Sequence, residues 1–236
     1  KFSCIHCTKF REHFEELREN RQLKDRLNHL CYLLSDNSLA LLPEYEQRVQ
    51  VLKRLRYLDA AGTVQLKGRV ACEISNHELL ITELVFENVL TDLQPQEIAA
   101  LLSCIVFQER RCVEPTLTET LQKGKDAMVA MATRLAELQR ECGVNVQVED
   151  CVEELKFGLV EAVFQWAQGM PFSKITELTD VQEGVIVRCI QRLDETCRDV
   201  RSAARIIGDP NLYAKMELAS EKIKRDIVFA ASLYTQ

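Results

Sequence analysis

Along most of the chain the apolar residues return every three or four positions, so the pattern predicts helix after helix. The most regular stretch is residues 183 to 209, "EGVIVRCIQRLDETCRDVRSAARIIGD". Ile186, Ile190, Leu193, Cys197, Val200, Ala204 and Ile207 keep a four-three spacing, which puts them on one stripe of a long helix facing the core. Arg188, Arg192, Glu195 and Asp199 keep the same spacing two residues out of phase, about 200° around the axis. They form a second, charged rail facing away from the bundle. Gly208, Asp209 and Pro210 stop this helix.

The same reading extends to both sides. Residues 9 to 36, "KFREHFEELRENRQLKDRLNHLCYLLSD", have apolar ends around a polar middle, the pattern of a stalk whose ends bury or of an amphipathic surface helix. Residues 44 to 58 place Tyr45, Val49, Leu52 and Leu55 on one face of a short helix. Asp59 and Gly62 then mark a turn, and Val64 and Leu66 alternate as in a strand. Helix, turn and hairpin suggest a winged-helix edge. Further helices are expected over "HELLITELVFENVL", from Pro95 in "QPQEIAALLSCIVFQE", over 118 to 142, over 150 to 168 ending at Gly169, and from Leu212 to about Leu233. The segment "RRCVEPTLTET" is the expected loop. The predicted fold is mainly α: a returning stalk helix at 1–35, a winged-helix remnant with a small β-hairpin at 36–75, and a helical bundle at 76–236.

Composition agrees with a folded helical protein. Of 236 residues, 47% are hydrophobic, with few Gly and Pro. The net charge of −6 argues against a chain that holds nucleic acid mainly through phosphates, and against an anionic membrane surface. Ten cysteines scattered singly, with no basic-then-apolar leader, point to a reducing compartment, and no run reaches a membrane-spanning length.

Several chemistries fall away. No Gly-x-x-x-x-Gly-Lys-Ser/Thr or Gly-x-Gly-x-x-Gly stretch is present, so this chain alone should not hydrolyse ATP. "HELLI" has Ile81 where a zinc-protease helix needs its second histidine. Cys4 and Cys7 near His6 and His13 make half a zinc site without a second cysteine pair, so no stoichiometric zinc is expected. "DETC" at 194–197 sits inside a helix, not at a strand end, and is not a helicase box.

On its own, the charged rail of 183–209 is most often a solvated face whose pairs are worth a few tenths of a kcal/mol each. It can also stack on and hydrogen-bond to bases of a single strand with little need for net charge. A third reading takes "MPFSKITELTD" with the long helix as a helix-turn-helix DNA-binding pair, although Glu177, Asp180, Glu183 and Asp194 would meet a phosphate backbone unfavourably.

Four segments carry a more specific signal: "LKGRVACEISNHELLITELVFENVL", "LQPQEIAALLSCIVFQER", "GLVEAVFQWAQGMPFSKITELTDVQEGVIVRCIQRLDE" and "IKRDIVFAASLYTQ". They closely resemble the C-terminal (DSHCT) region of the exosome-associated DExH-box RNA helicases. The "CIHC" segment and the ending look most like the cytoplasmic superkiller branch. The resemblance implies a fragment of an ATP-dependent 3'-to-5' RNA helicase whose RecA-like lobes, outside this sequence, bind ATP and magnesium. It implies single-stranded RNA, the RNA exosome and the tetratricopeptide and propeller subunits of a superkiller complex as partners, and a cytoplasmic location. The long helix of the family lines the RNA path as a ratchet, and Arg192 and Glu195 match its RNA-facing residues. Glu109, in "FQER", matches a further position near the emerging strand, and Arg188 and Gln191 extend the face geometrically by one turn. "RRCVEPTLTE" departs from the family pattern, which leaves the loop path open. If the lobes hold the phosphates and this region handles bases, mild acidity is compatible with a channel wall, and the isolated region should bind RNA poorly. The alternatives are a partner-docking scaffold that never meets RNA and the helix-turn-helix protein.

Overall fold

The computed structural model describes residues 7–35, 39, 41–109, 112–225 and 228. Two compact units divide the chain between Glu46 and Gln47, so that residues 47–75 belong to the same unit as the later helices.

The first unit is dominated by α1 (Phe10–Leu34). Phe10 and Phe14 stack with ring centroids 5.8 Å apart, and Ser35 closes the helix through its backbone N–H and its hydroxyl, both donated to the Tyr32 carbonyl. The expected burial of its apolar ends is not found. No residue of α1 is buried, Leu27, Leu30 and Leu34 included, because charged side chains fill most of the other positions and no described apolar layer covers them. Cys7 Sγ lies 3.9 Å from His13 Nδ1, while Cys4 and His6 fall outside the described residues.

The second unit begins within α2 (Leu42–Arg54), which buries Val51 and leaves Val49, Leu52 and Leu55 half-buried and Tyr45 exposed, so the predicted stripe is displaced. The predicted hairpin is reduced to one antiparallel bridge, Leu58 with Val64, around a turn in which Asp59 accepts from the Thr63 N–H at 2.8 Å. Leu66 opens α3 (Leu66–Ala71) instead of continuing a strand. Among the described residues there is no strand. Packing explains the outcome: Gly68 brings α3 against the Tyr57 carbonyl, and a buried trio ties the segment to α4 (Glu78–Phe86). In that trio Tyr57 Oη donates to Glu83 Oε1 at 2.9 Å, and Lys67 pairs with Glu83 at 2.6 Å while lying over the Tyr57 ring. Glu83 is 4% exposed, and it is matched by a cation and a hydroxyl as a buried carboxylate requires.

The bundle core is built from α5 (Pro95–Val106), α8 (Val160–Gln168), α10 (Glu183–Ile207) and α11 (Pro210–Ile223), with α5 and α11 each packed against the other three, and with α6 (Glu119–Glu141) against α4, α5 and α7 (Val148–Glu153). α5 starts at Pro95, as the sequence suggests, and in a capping box the Gln94 N–H donates to Glu97 Oε2 at 2.8 Å. α6 matches its predicted span, capped by the Thr118 hydroxyl. The helix expected over 150–168 is broken into α7, a 3-10 turn at Phe157–Leu159 and α8. Close packing causes the break: a Cβ at Gly158 would collide with Cys112 Sγ, so only glycine lets the 112–118 loop pass there. That loop is held by acids: Val113 N–H donates to Asp180 at 2.9 Å and Thr116 N–H to Glu161 at 2.6 Å.

The last helix ends at Ile223, ten residues short of the expected Leu233, and most of "DIVFAASLY" lies outside the described residues. Fully buried Trp166 explains the stop. Its Nε1–H donates to the Ile223 carbonyl at 2.9 Å, and the Arg225 guanidinium sits 3.6 Å above its ring while donating to the carbonyls of Trp166 and Met170. Val228, just beyond, is buried.

Candidate nucleic-acid interface

The side of α10 that faces the bundle follows the predicted stripe. Ile186, Ile190, Leu193, Cys197, Val200 and Ala204 are wholly buried, and Ile207 is half-buried at the end. The buried side is wider than a seven-residue seam, since Cys189, Asp194, Thr196 and Ala203 join it. Asp194 is the unexpected member. Its carboxylate, 0% exposed, accepts from Ser220 Oγ at 2.5 Å and pairs with Arg198 at 2.6 Å and Lys224 at 3.0 Å. It locks α10 to α11, and so cannot face a phosphate backbone as the helix-turn-helix reading supposed. The helix before it, α9 (Phe172–Ile175), has four residues and runs into a 3-10 turn at Thr176–Leu178, which is short for a DNA-binding pair.

Two walls of bonding thus fix the axis and rotation of α10, and the opposite side presents the charged rail. Arg188, Arg192 and Glu195 are exposed. Among the described residues none of the three forms an ion pair or side-chain hydrogen bond, so the expected mutual pairing is missing while the face itself stays exposed. Asp199, the fourth member, is committed: its Oδ2 accepts from the Ser75 N–H at 3.0 Å. Gln191 is committed too, donating from Nε2 to the Val228 carbonyl at 2.8 Å, which leaves it serving the chain end more than the rail.

Arg192 and Glu195 border a cleft of about 330 Å³, together with Thr196 and Asp199 of α10. Its other wall comes from Ser75 and Asn76, in the turn before α4, and from Ile105, Val106 and Gln108 at the end of α5. Glu109 follows directly, half-buried. Arg188, Arg192 and Glu109 share one neighbourhood around Cys189, whose Sγ lies 4.0 Å from the Val106 carbonyl. Burial pushes the Cys189 thiol up, Arg192 opposes that shift, Glu109 adds to it, and Arg188 opposes it again. Four of the five residues singled out from sequence therefore lie in one region. Asn76 and Gln108 had no sequence signal; both sit in short non-helical joints that only the folded chain brings to α10.

The arrangement offers a guanidinium, carboxylates and amides around a small, mainly polar opening. Such a set can hydrogen-bond to base edges and stack on base faces, but its charge does not suit phosphate. Among the described residues no cluster of His, Cys, Asp and Glu could hold a metal ion, and no helix is long and apolar enough to cross a membrane. His77, from "HELLI", stands at the start of α4 with a left-handed backbone (φ 48°), and Ile81 is core.

The chain is 54% identical over 233 residues to Superkiller complex protein 2 of Mus musculus and 48% over 233 residues to the DExH-box ATP-dependent RNA helicase DExH11 of Arabidopsis thaliana. It is 42% identical over 194 residues to Exosome RNA helicase MTR4 of Homo sapiens. These matches cover 99%, 98% and 82% of this chain but 19%, 17% and 19% of the relatives, so the chain spans about a fifth of their length. The model of the DSHCT (NUC185) domain matches residues 61–230, beginning in the turn after Tyr57, and the chain therefore belongs to the DSHCT domain family.

Proposed function

We propose that this chain is the C-terminal part of an ATP-dependent RNA helicase that unwinds in the 3'-to-5' direction and feeds RNA to the exosome, and that α10 guides the strand. The carrying observation is that Arg192 and Glu195, exposed and without a partner among the described residues, border a cleft on a helix whose other side is locked by Asp194 and the core. A guide for a moving strand needs a rigid mount and free polar groups, and this helix has both.

In this reading ATP and magnesium are bound by RecA-like lobes elsewhere in the complete protein, which also hold most phosphates. The mildly acidic bundle handles bases, so its contribution is guidance more than affinity. Relatives named for the superkiller complex and the exosome support those two assemblies as partners; tetratricopeptide and propeller subunits and a cytoplasmic place of action are the finer part of the proposal. The ten cysteines suit that compartment, since all nine that are described are free thiols. The domain boundaries proposed are a returning stalk helix to residue 35, a winged-helix remnant to residue 75, and the DSHCT bundle beyond.

The test uses the complete helicase. Replacing Arg192 and Glu195 by alanine should lower unwinding of a 3'-overhang duplex about ten-fold, the loss of one or two base contacts, with RNA-independent ATP hydrolysis unchanged. Equal unwinding by variant and parent rejects the guide role and favours a partner-docking scaffold.

A further inference from the structure

The wall of the cleft opposite Arg192 and Glu195 is built from groups the guide role leaves idle. Asn76 and Gln108 both line it, both are exposed, and among the described residues neither side-chain amide has a hydrogen-bond partner. The wall is held in place nonetheless. The residue before Asn76 is pinned to α10 through the Ser75 N–H bond to Asp199, and Gln108 follows the buried end of α5, where Val106 and Phe107 are core.

Charge decides what kind of ligand fits. One guanidinium, Arg192, faces two carboxylates, Glu195 and Asp199, so the opening is net negative and disfavours a phosphate. Past Gln108 the next hollow is more acidic still, with Asp150, Glu153 and Glu154 around Lys156. A neutral group with a flat apolar face and a polar edge suits the site. Each amide offers a donor and an acceptor side by side, the pattern that pairs with a base edge. Ile105 and Val106, 6% and 7% exposed, add only a narrow apolar strip beside the amides. The volume of about 330 Å³ is near the low end for ligand-sized pockets, roughly 300–1,000 Å³.

The geometry points to a slot for one unstacked nucleobase, with Asn76 and Gln108 taking its hydrogen-bonding edge while Arg192 and Glu195 hold the strand from the other wall. This deepens the proposed function and rests on α10 meeting RNA. Asn76 and Gln108 are then specificity-determining residues on the channel wall. The acidic hollow beyond Gln108 keeps the phosphates turned outward.

The experiment holds the strand still. The complete helicase, without ATP, is titrated with 3'-overhang RNAs that each carry one abasic nucleotide at successive positions of the overhang, and Kd is measured for each. The parent should lose affinity about five-fold at the position that fills the slot, the size of one ordinary hydrogen bond. A variant with Asn76→Leu and Gln108→Leu should bind the intact strand about five-fold more weakly and show no penalty at that position. Both side chains are exposed, and an unchanged melting temperature checks that the variant is folded. A variant that keeps every positional penalty of the parent overturns the slot. A second variant, Arg192→Ala with Glu195→Ala, separates the two readings. If it weakens binding of all strands while the leucine variant behaves as the parent, the slot alone falls. If it binds and unwinds all strands as the parent does, the guide role falls, and the leucine variant alone judges the slot.

Discussion

Asp194 and Ser220 meet across the interface of α10 and α11, with Oγ 2.5 Å from Oδ1, and this buried contact fixes which side of α10 is left exposed. The carboxylate is completed by Lys224 and Arg198, whose side chains are 40% and 52% exposed. Removing one partner of a buried ionic contact typically costs about 3–5 kcal/mol, and the solvent around both cations argues for the low end of that range. Asp194→Ala should therefore destabilise the protein by about 3 kcal/mol in urea unfolding, and Ser220→Ala by about 1 kcal/mol. Equal, small effects would show that the contact does not hold the helix pair.

Gly68 makes a sign prediction. Within a helix, Gly→Ala ordinarily stabilises by about 1 kcal/mol. Here a Cβ would lie 2.7 Å from the Tyr57 carbonyl oxygen and 2.8 Å from Val64 Cγ1, and the first of these is backbone that cannot step aside cheaply. Gly68→Ala should cost about 1–3 kcal/mol by thermal unfolding. Stabilisation would mean that α3 does not press against the turn as described.

The buried thiols set a dependence on pH. Burial pushes Cys197 up to about 12 from its ordinary 9.0, with Asp194 adding to the shift, and it raises Cys104 as well. Both thiols are neutral in the folded state at pH 8.5 and shielded, so iodoacetamide should label Cys31 and Cys72, which are exposed, long before Cys104 and Cys197. Because the folded state keeps protons that the unfolded state releases, the contribution of these groups to stability is whole below pH 9. It should decline as pH rises from about 9 toward 12. Buried Tyr57, raised by desolvation and by Glu83, acts in the same direction. Rapid native labelling of Cys197 would contradict the buried position of its stripe.

How legible each feature is in the sequence depends on the range of the contacts that set it. The stripe from Ile186 to Ala204 is local periodicity, and it is found as read. The stop at Gly208 carries the same local information. Three expectations miss because long-range contacts override local pattern. Leu66 starts a helix because Gly68 lets α3 close onto Tyr57, and the helix expected over 150–168 breaks where Gly158 receives Cys112. The last helix stops at Ile223 because Trp166, 57 positions earlier, takes its carbonyl. The site divides in the same manner. Spacing puts Arg192 and Glu195 on a charged rail and only the family resemblance singles them out, whereas Asn76 and Gln108 lie in joints with no periodicity to betray them. Asp194 reads as one more charge on a charged helix until α11 is laid against it.

The most direct test of the central claim is whether RNA touches α10 at all. In the complete helicase stalled on a single-stranded RNA carrying 4-thiouridine, photo-crosslinks should map to the peptide spanning residues 185–200 and should weaken when Arg192 and Glu195 are replaced by alanine. Crosslinks confined to other parts of the protein, with that peptide unlabelled on every strand tried, would contradict the account.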